Sequence, residues 1–394
     1  MPPTTQANRV HRALSRPSLA TRLCALALAF APGLASAATA DAQKSAPASE
    51  SSTVITSYGE INYNRPADPA EARIDLRRFV LGLQHRFDEK TKLVTELEVE
   101  HAVSSAGDKG EVEIEQAYIE RQFGEHWAGR AGLFLVPFGL LNENHEPTAY
   151  YGVERNFVET AIIPTTWREG GVQAVFTFDP GFTLQAGVST GFDINKWDAT
   201  SIEGRASPLA SIHQELQLAR ARDLAGFGAL NWRGIPGLQL GGALFVGNAA
   251  QGQTGSAVVA LWDVHARYNP GRLDLSALYA RGTISNTAAL NAPLAGNPTL
   301  IPEAFDGWYV QAAYRLWTQG DMALAPFARY EQFNTGRSYA DLGSGAPAGL
   351  PTERVVTAGL NYYVTPEVVV KADVQRFHED TSRNRFDLGL GWSF

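Results

Sequence analysis

From Val54 to the C-terminus, apolar and polar positions alternate with a period of two, in short stretches interrupted by Gly, Pro, Asn and Asp. That period belongs to a β-strand, whose successive side chains point to opposite faces, and the spacing of an amphipathic helix is almost absent. The last residues show it most plainly: Phe386, Leu388, Leu390, Trp392 and Phe394 share one face, and Asp387, Gly389, Gly391 and Ser393 the other. Trp308, Val310, Ala312, Tyr314 and Leu316 repeat the pattern, as do Val258, Ala260, Trp262, Val264, Ala266 and Tyr268, and Phe182, Leu184, Ala186 and Val188. Read throughout, the alternation predicts strands near 54–63, 75–87, 91–101, 111–123, 127–135, 170–178, 182–190, 221–232, 238–246, 257–268, 272–283, 304–316, 322–333, 353–364, 368–378 and 385–394, sixteen in all.

An even number of strands about ten residues long, each greasy on one face, is what a bacterial membrane barrel needs, because closure pairs every backbone donor and acceptor inside hydrocarbon. The expected fold is therefore all-β, a transmembrane antiparallel β-barrel. A soluble sandwich or propeller shows alternation too. Against it stand the aromatic residues that end the apolar faces, Trp127, Tyr268, Trp317, Tyr330, Tyr362 and Trp392, in the manner of interfacial girdles. The connections also alternate between tight and long. Asp179-Pro180-Gly181, Asn269-Pro270-Gly271 and Thr365-Pro366-Glu367 are tight, whereas 191–220, 284–303 and 334–352 are long.

The N-terminus changes the picture. Arg9, Arg12, Arg16 and Arg22 precede an apolar run from Leu23 to Ala31, and Ala35-Ser36-Ala37 follows, which is the order of parts in an export signal. Residues 1–37 are expected to be removed after Ala37, residues 38–53 to form a flexible mature N-terminus, and residues 54–394 to form the barrel. The apolar run is too short to cross a bilayer as a helix. Cleavage removes four arginines and no acid, moving the formal charge from −8 to −12. An acidic mature chain argues against a nucleic-acid partner. The single cysteine, Cys24, lies in the signal, so the exported chain has to hold together without disulfides.

Gly132-Leu133-Phe134-Leu135-Val136-Pro137-Phe138-Gly139-Leu140, then Glu154-Arg155-Asn156-Phe157, then Trp167-Arg168-Glu169-Gly170-Gly171-Val172, resembles the phosphate-selective porin O and P family of Gram-negative outer membranes. Arg77-Arg78-Phe79-Val80-Leu81-Gly82-Leu83 and Gln116-Ala117-Tyr118-Ile119 resemble its second and fourth strands. The likeness covers most of the mature chain, with distinctive motifs only in its N-terminal half. It implies a sixteen-stranded homotrimer in the outer membrane and a loop after the fifth strand folded into the lumen, with Pro137 to Arg168 as the constriction loop. Arg155 and Arg168 would be its basic residues. The chain departs from the family's lysine-rich constriction, for none of Lys44, Lys90, Lys92, Lys109, Lys196 and Lys371 falls in that loop, which carries Glu143, Glu146, Glu154 and Glu159 instead.

Selectivity in a wide barrel arises from charges at its narrowest point, where a low-dielectric wall strengthens their field. Alternation turns Arg78, Arg130, Arg267, Arg315, Arg329 and Lys371 toward the lumen, with Arg121 joining them. These cations either hand an anion from one to the next or brace the wall against Asp263, Asp274, Glu331 and Asp373. Glu96, Glu98 and Glu100 share one strand face, and Glu111, Glu113 and Glu115 another, forming an acidic lumen cluster. Repulsion requires these to meet arginines such as Arg78 and Arg86, to face water or to bind a divalent cation. Which charge dominates sets whether anions or cations pass.

Enzyme readings fail on context. Gly187-Val188-Ser189-Thr190-Gly191 matches a nucleophile elbow in letters only, because no helix pattern follows it. The mature histidines show no zinc spacing, and no cofactor motif is present. The expectation is a passive channel for small hydrophilic solutes, anions such as phosphate among them. The alternatives are a cation-preferring or general porin, or a barrel serving as surface receptor or adhesin. Its partners are expected to be outer-membrane lipid, ions in transit and the barrel-assembly machinery, which would read the C-terminal strand at Trp392 and Phe394.

Overall fold

The computed structural model describes residues 52–394 apart from residues 106, 254 and 344. The expected signal and most of the expected flexible segment lie outside the described residues. The alternating stretches form β1 (Ser52–Pro66), β2 (Arg73–Arg86), β3 (Thr91–Glu100), β4 (Val112–Gly124), β5 (Trp127–Leu135), β6 (Arg168–Phe178), β7 (Phe182–Ser189) and β8 (Ala225–Ile235). The second half adds β9 (Leu238–Asn248), β10 (Val258–Tyr268), β11 (Leu273–Ile284), β12 (Ala304–Tyr314), β13 (Trp317–Gln319), β14 (Met322–Ser338), β15 (Glu353–Thr365), β16 (Val368–Phe377) and β17 (Arg385–Ser393). Each pairs antiparallel with its neighbours. The sheet closes where β17 meets β1 in the register Tyr58 opposite Ser393 through Pro66 opposite Arg385. Phe394 and Ser57 finish the seam by exchanging backbone hydrogen bonds of 2.8 and 2.9 Å.

Seventeen segments fill sixteen places in the wall, because β12 and β13 both pair with β14. The strand expected over 304–316 is broken by one extra residue: Ala313 faces Phe327 and Trp317 faces Leu324, so four steps along one strand oppose three along the other. Such a bulge re-aims a side chain. Three other boundaries move. β1 begins at Ser52, inside the stretch expected to be flexible, and β8 begins at Ala225 rather than 221. β14 runs on to Ser338, where Glu303 N–H donates to the Ser338 carbonyl at 2.8 Å.

The sheet is inverted relative to a soluble protein. Val370 and Val374 of β16 and Leu388 and Leu390 of β17 are exposed on the outward face, while Lys371, Asp373, Gln375 and Asp387 are buried on the inward face. Each outward Leu or Val would cost about 1.5–3 kcal/mol to leave in water, so this face belongs in hydrocarbon. Tight connections lie at one rim, at 87–90, 125–126, 179–181, 236–237, 269–272, 320–321 and 366–367. At the second residue of the two-residue turn 236–237, Gly237 has φ +77°, and an added Cβ would come 2.3 Å from the Asn269 carbonyl oxygen. The long connections, including 136–167, 190–224 and 285–303, all leave from the opposite rim.

Candidate pore constriction

The segment 136–167 leaves the end of β5 and crosses the lumen instead of lying over the rim. Its base is closed by Asn142, whose amide donates to the carbonyls of Val136 (2.7 Å) and Trp167 (2.8 Å) and whose oxygen accepts Trp167 N–H at 2.7 Å. Within the segment, Glu159 accepts the N–H groups of Leu140 and Leu141 at 2.6 and 2.8 Å. Its backbone groups then pair with the wall. Asn361 of β15 accepts Gly152 N–H at 3.1 Å, Asp373 of β16 accepts Val153 N–H at 2.7 Å, and Glu331 of β14 accepts Phe157 N–H at 2.6 Å. Side chains complete the circuit: Tyr150 donates to Glu60 of β1 (2.9 Å), Tyr309 of β12 to Glu159 (2.9 Å), and Thr148 pairs with Ser393 of β17 (2.6 Å). A crossing segment buried among wall strands has to find partners for its polar groups, and inward-facing carboxylates and amides supply many of them.

One half of the barrel is dry. Phe138, Val158, Ile162 and Trp167 of the segment pack with Phe192, Leu209 and Ile212 of the 190–224 connection and with Phe245, Leu261 and Phe305 of the wall. The Trp167 ring lies 4.8 Å from Phe245 and 5.2 Å from Phe192. The outer connections brace one another above this core, with Thr299 N–H donating to the Ala199 carbonyl at 3.1 Å.

The other half holds open space with polar walls. On the long-loop side lies a chamber of about 900 Å³ whose lining includes Arg78, Arg155, Lys109, Glu60 and Glu154; on the tight-turn side lies one of about 430 Å³ with Arg267, Arg315, Asp274 and Asp321. Between them is a gap of about 20 Å³ lined by Tyr150, Tyr151, Arg267, Gln311 and Arg329. A space of that size holds one or two waters. Tyr150 borders the outer chamber as well as the gap, and Tyr151 the inner one, so two consecutive residues connect the gap to both chambers.

Most of the expected inward arginines are there, and most are paired. Arg78 meets Glu60 (2.9 Å) and Glu98 (3.8 Å), Arg130 meets Glu120 (2.7 Å), Arg267 meets Asp274 (2.6 Å) and Arg329 meets Glu331 (3.0 Å). Arg168, expected in the constriction, is at the start of β6 and bridges Glu113 (2.5 Å) and Glu215 (2.9 Å). Among the described residues, Arg155, Arg315 and Lys371 have no carboxylate partner at ion-pair distance. Arg155 is held by Thr165, by Thr166 (2.9 Å) and by the His145 carbonyl (3.3 Å). Burial, and then the charge of Arg78, hold its guanidinium below the ordinary arginine pKa. The Lys371 ammonium lies 3.6 Å from the centre of the Tyr150 ring.

Three expectations are corrected. Arg121 does not face the lumen: the irregularity at Glu96/Leu97 shifts the β3–β4 register, Glu120 turns inward, and Arg121 is exposed at the tight-turn rim beside Thr91 and Asp88. Arg86 meets no acid of the cluster and donates to the Glu89 carbonyl at 3.4 Å. Glu111 precedes β4 and is exposed, outside the acidic cluster, while Glu100 is at the outer end of β3. The remaining acids are shared out. Glu96 accepts from Gln116 (2.6 Å), and Glu115 accepts from Tyr58 (2.6 Å) and faces His145 of the crossing segment at 2.9 Å. Burial opposes charge on the His145 imidazole, but Glu115 raises its pKa above the ordinary histidine value. Among the described residues, no group of three or more His, Cys, Asp or Glu is arranged to hold a metal ion. Tyr150, Tyr151, Glu60 and Asn361 were missed by sequence reasoning, since their roles depend on which strands the crossing segment touches.

Comparison with known proteins gives the same architecture. The family described as phosphate-selective porin O and P matches residues 241–387, from β9 to β17, rather than the N-terminal stretch that carries the motifs. An uncharacterized protein of Aquifex aeolicus (strain VF5) is 28% identical over 355 residues, covering 86% of this chain and 79% of that protein. Among solved structures, OmpF of Salmonella typhi superposes with a TM-score of 0.59 at 13% identity, covering 87% of this chain and 97% of that one. An anion-selective porin from Comamonas acidovorans superposes with a TM-score of 0.54 at 13% identity, covering 88% and 100%. At such identities the likeness to the solved structures is one of fold.

Proposed function

We infer, for a chain whose residues 241–387 match the phosphate-selective porin O and P family, a passive diffusion channel of the Gram-negative outer membrane for small hydrophilic solutes, with a preference for anions. The observation that carries the preference is the asymmetry of pairing around the tyrosine gap. Most carboxylates there are engaged: Glu60 by Arg78 and Tyr150, Asp373 by Val153 N–H, Glu331 by Arg329 and Phe157 N–H, and Asp274 by Arg267, while Glu154, among the described residues, accepts only from Asn64. Among the described residues, Arg155 and Lys371 have no carboxylate at ion-pair distance, and the outer chamber is lined by six basic side chains against four acidic ones. A net positive lining in a water-filled passage raises the local concentration of anions. The anion selectivity of the Comamonas acidovorans porin agrees with this reading.

A cation-preferring channel is the second reading, favoured by the inward stack of Glu96, Glu98, Glu113 and Glu115 on β3 and β4. The reversal potential of the purified protein in a planar bilayer under a KCl gradient separates the two by its sign. Repeating the measurement with phosphate tests whether that ion is among the solutes. In this reading the chain is exported by a cleaved signal, is assembled through its C-terminal strand, and functions as a homotrimer in lipid.

A further inference from the structure

On the outward face, at the long-loop ends of β1, β16 and β17, lies a groove of about 350 Å³. Its floor is apolar: Val374 and Phe386 are 41% and 38% exposed and continue the belt of outward hydrophobics. Its upper edge is cationic. Arg65 of β1 is paired with Phe386, which in turn faces Val374, so Arg65 flanks the apolar floor, and Arg376 of β16 stands two residues beyond Val374 on the same outward face. Both are exposed, and among the described residues neither has a carboxylate partner. Arg385 behind them is committed to Asp387 at 2.9 Å. The edge is rigid, because Asn384 accepts Phe377 N–H at 2.7 Å and Glu353 accepts the N–H groups of His378, Glu379 and Asp380 at 2.9–3.1 Å.

Other outward arginines at this rim are neutralised: Arg281 and Arg337 share Asp306, and Arg354 meets Glu379. Two unpaired guanidiniums, one beside and one beyond an apolar slot, are the complement of one kind of molecule, an amphiphile with a phosphate at the top of its acyl chains. Guanidinium binds phosphate with two parallel hydrogen bonds, and the slot accepts the upper methylenes. We propose that Arg65 and Arg376, with Val374 and Phe386, bind the phosphorylated headgroup of a lipid in the leaflet on the long-loop side. The proposal rests on the outer-membrane reading above, which makes that leaflet the outer one.

The test is native mass spectrometry of the detergent-solubilised wild-type protein, titrated with dioleoyl phosphatidic acid or dioleoyl phosphatidylcholine, beside the double variant R65Q/R376Q. Removing two cations is expected to weaken phosphatidic acid binding about 30-fold, about fivefold for each. The control pair R86Q/R121Q, at the opposite rim, is expected to leave it unchanged, as is phosphatidylcholine binding in either variant. Equal losses in both pairs would reduce the effect to diffuse charge and overturn the proposal. Displacement of the lipid by inorganic phosphate in the same concentration range would make the site one for the free ion and also overturn it. Dissociation of an oligomer by R65Q/R376Q with lipid binding intact would assign the groove to a second copy. Bilayer conductance of the same preparations distinguishes this from the channel reading, since R65Q/R376Q should conduct as wild type whether or not the lipid site exists.

Discussion

The carboxylate of Asp373 accepts the backbone N–H of Val153 at 2.7 Å, so a wall strand holds the segment that divides the lumen. Glu331 does the same for Phe157 from β14. Removing either carboxylate leaves a buried donor without a partner, which costs about 1–3 kcal/mol. Asp373→Ala is expected to lower stability to urea by that amount and Glu331→Ala by more, because it also leaves buried Arg329 without its partner, and the pair to give larger and noisier single-channel currents as the segment loosens. A quiet channel of unchanged conductance in the double variant would show that the tethers do not set the aperture.

The gap between the two chambers is about 20 Å³, with Tyr150 and Tyr151 on its border. Truncating both to Ala removes the rings that fill the passage. Single-channel conductance in potassium chloride should rise several-fold, and selectivity should fall as the field in the gap weakens. Tyr330→Ala, on the outward face, serves as a control and should leave the current alone.

In the proposed anion channel, the cations without a carboxylate partner nearest the gap are Arg155, which lines the outer chamber, and Lys371, which lies against the Tyr150 ring. Arg155→Gln and Lys371→Met should each shift the reversal potential toward cations, and together more than either. Arg121→Gln should not shift it, because that side chain lies at the rim on the other face of the sheet. A shift of the same size from Arg121 would remove the distinction between the lumen and its exterior.

Leu390 is 40% exposed on the outward face of β17, level with Val370 and Ile61 on the neighbouring strands. Leu390→Arg puts a cation into hydrocarbon and is expected to cost about 2–4 kcal/mol if the position is near the bilayer midplane. Unfolding from lipid vesicles in urea measures it. A neutral effect would mean that this face meets water.

His145 faces Tyr58, Glu115 and Glu96 from the wall and Arg155 from its own segment. Burial opposes its charge, but Glu115 raises its pKa, so the folded value exceeds the unfolded one near 6.5. The sign follows: the contact contributes fully below pH 6.5 and is lost as pH rises through the raised folded value. Stability to urea, and the quietness of the channel, should therefore decline above pH 6.5 in the wild type. His145→Gln should flatten that pH dependence, and a variant with the wild-type profile would exclude His145 as its source.

Period-two alternation located all sixteen wall positions to within a few residues, because a strand between lipid and water has a different solvent on each face and each side chain records which one it meets. The direction of Arg78, Arg130, Arg267, Arg329 and Lys371 was readable for the same reason. Arg121 was misread because one irregularity at Glu96/Leu97 exchanges the faces of β4 downstream, and no local residue announces it. Likewise, nothing in the letters of 136–167 tells that Gly152, Val153 and Phe157 meet Asn361, Asp373 and Glu331, some two hundred residues away. Those pairings exist only once the sheet has closed and brought β14, β15 and β16 around the segment. The pattern of solvents is local and is written in the chain; the aperture is a property of distances across the lumen, which only the closed barrel defines.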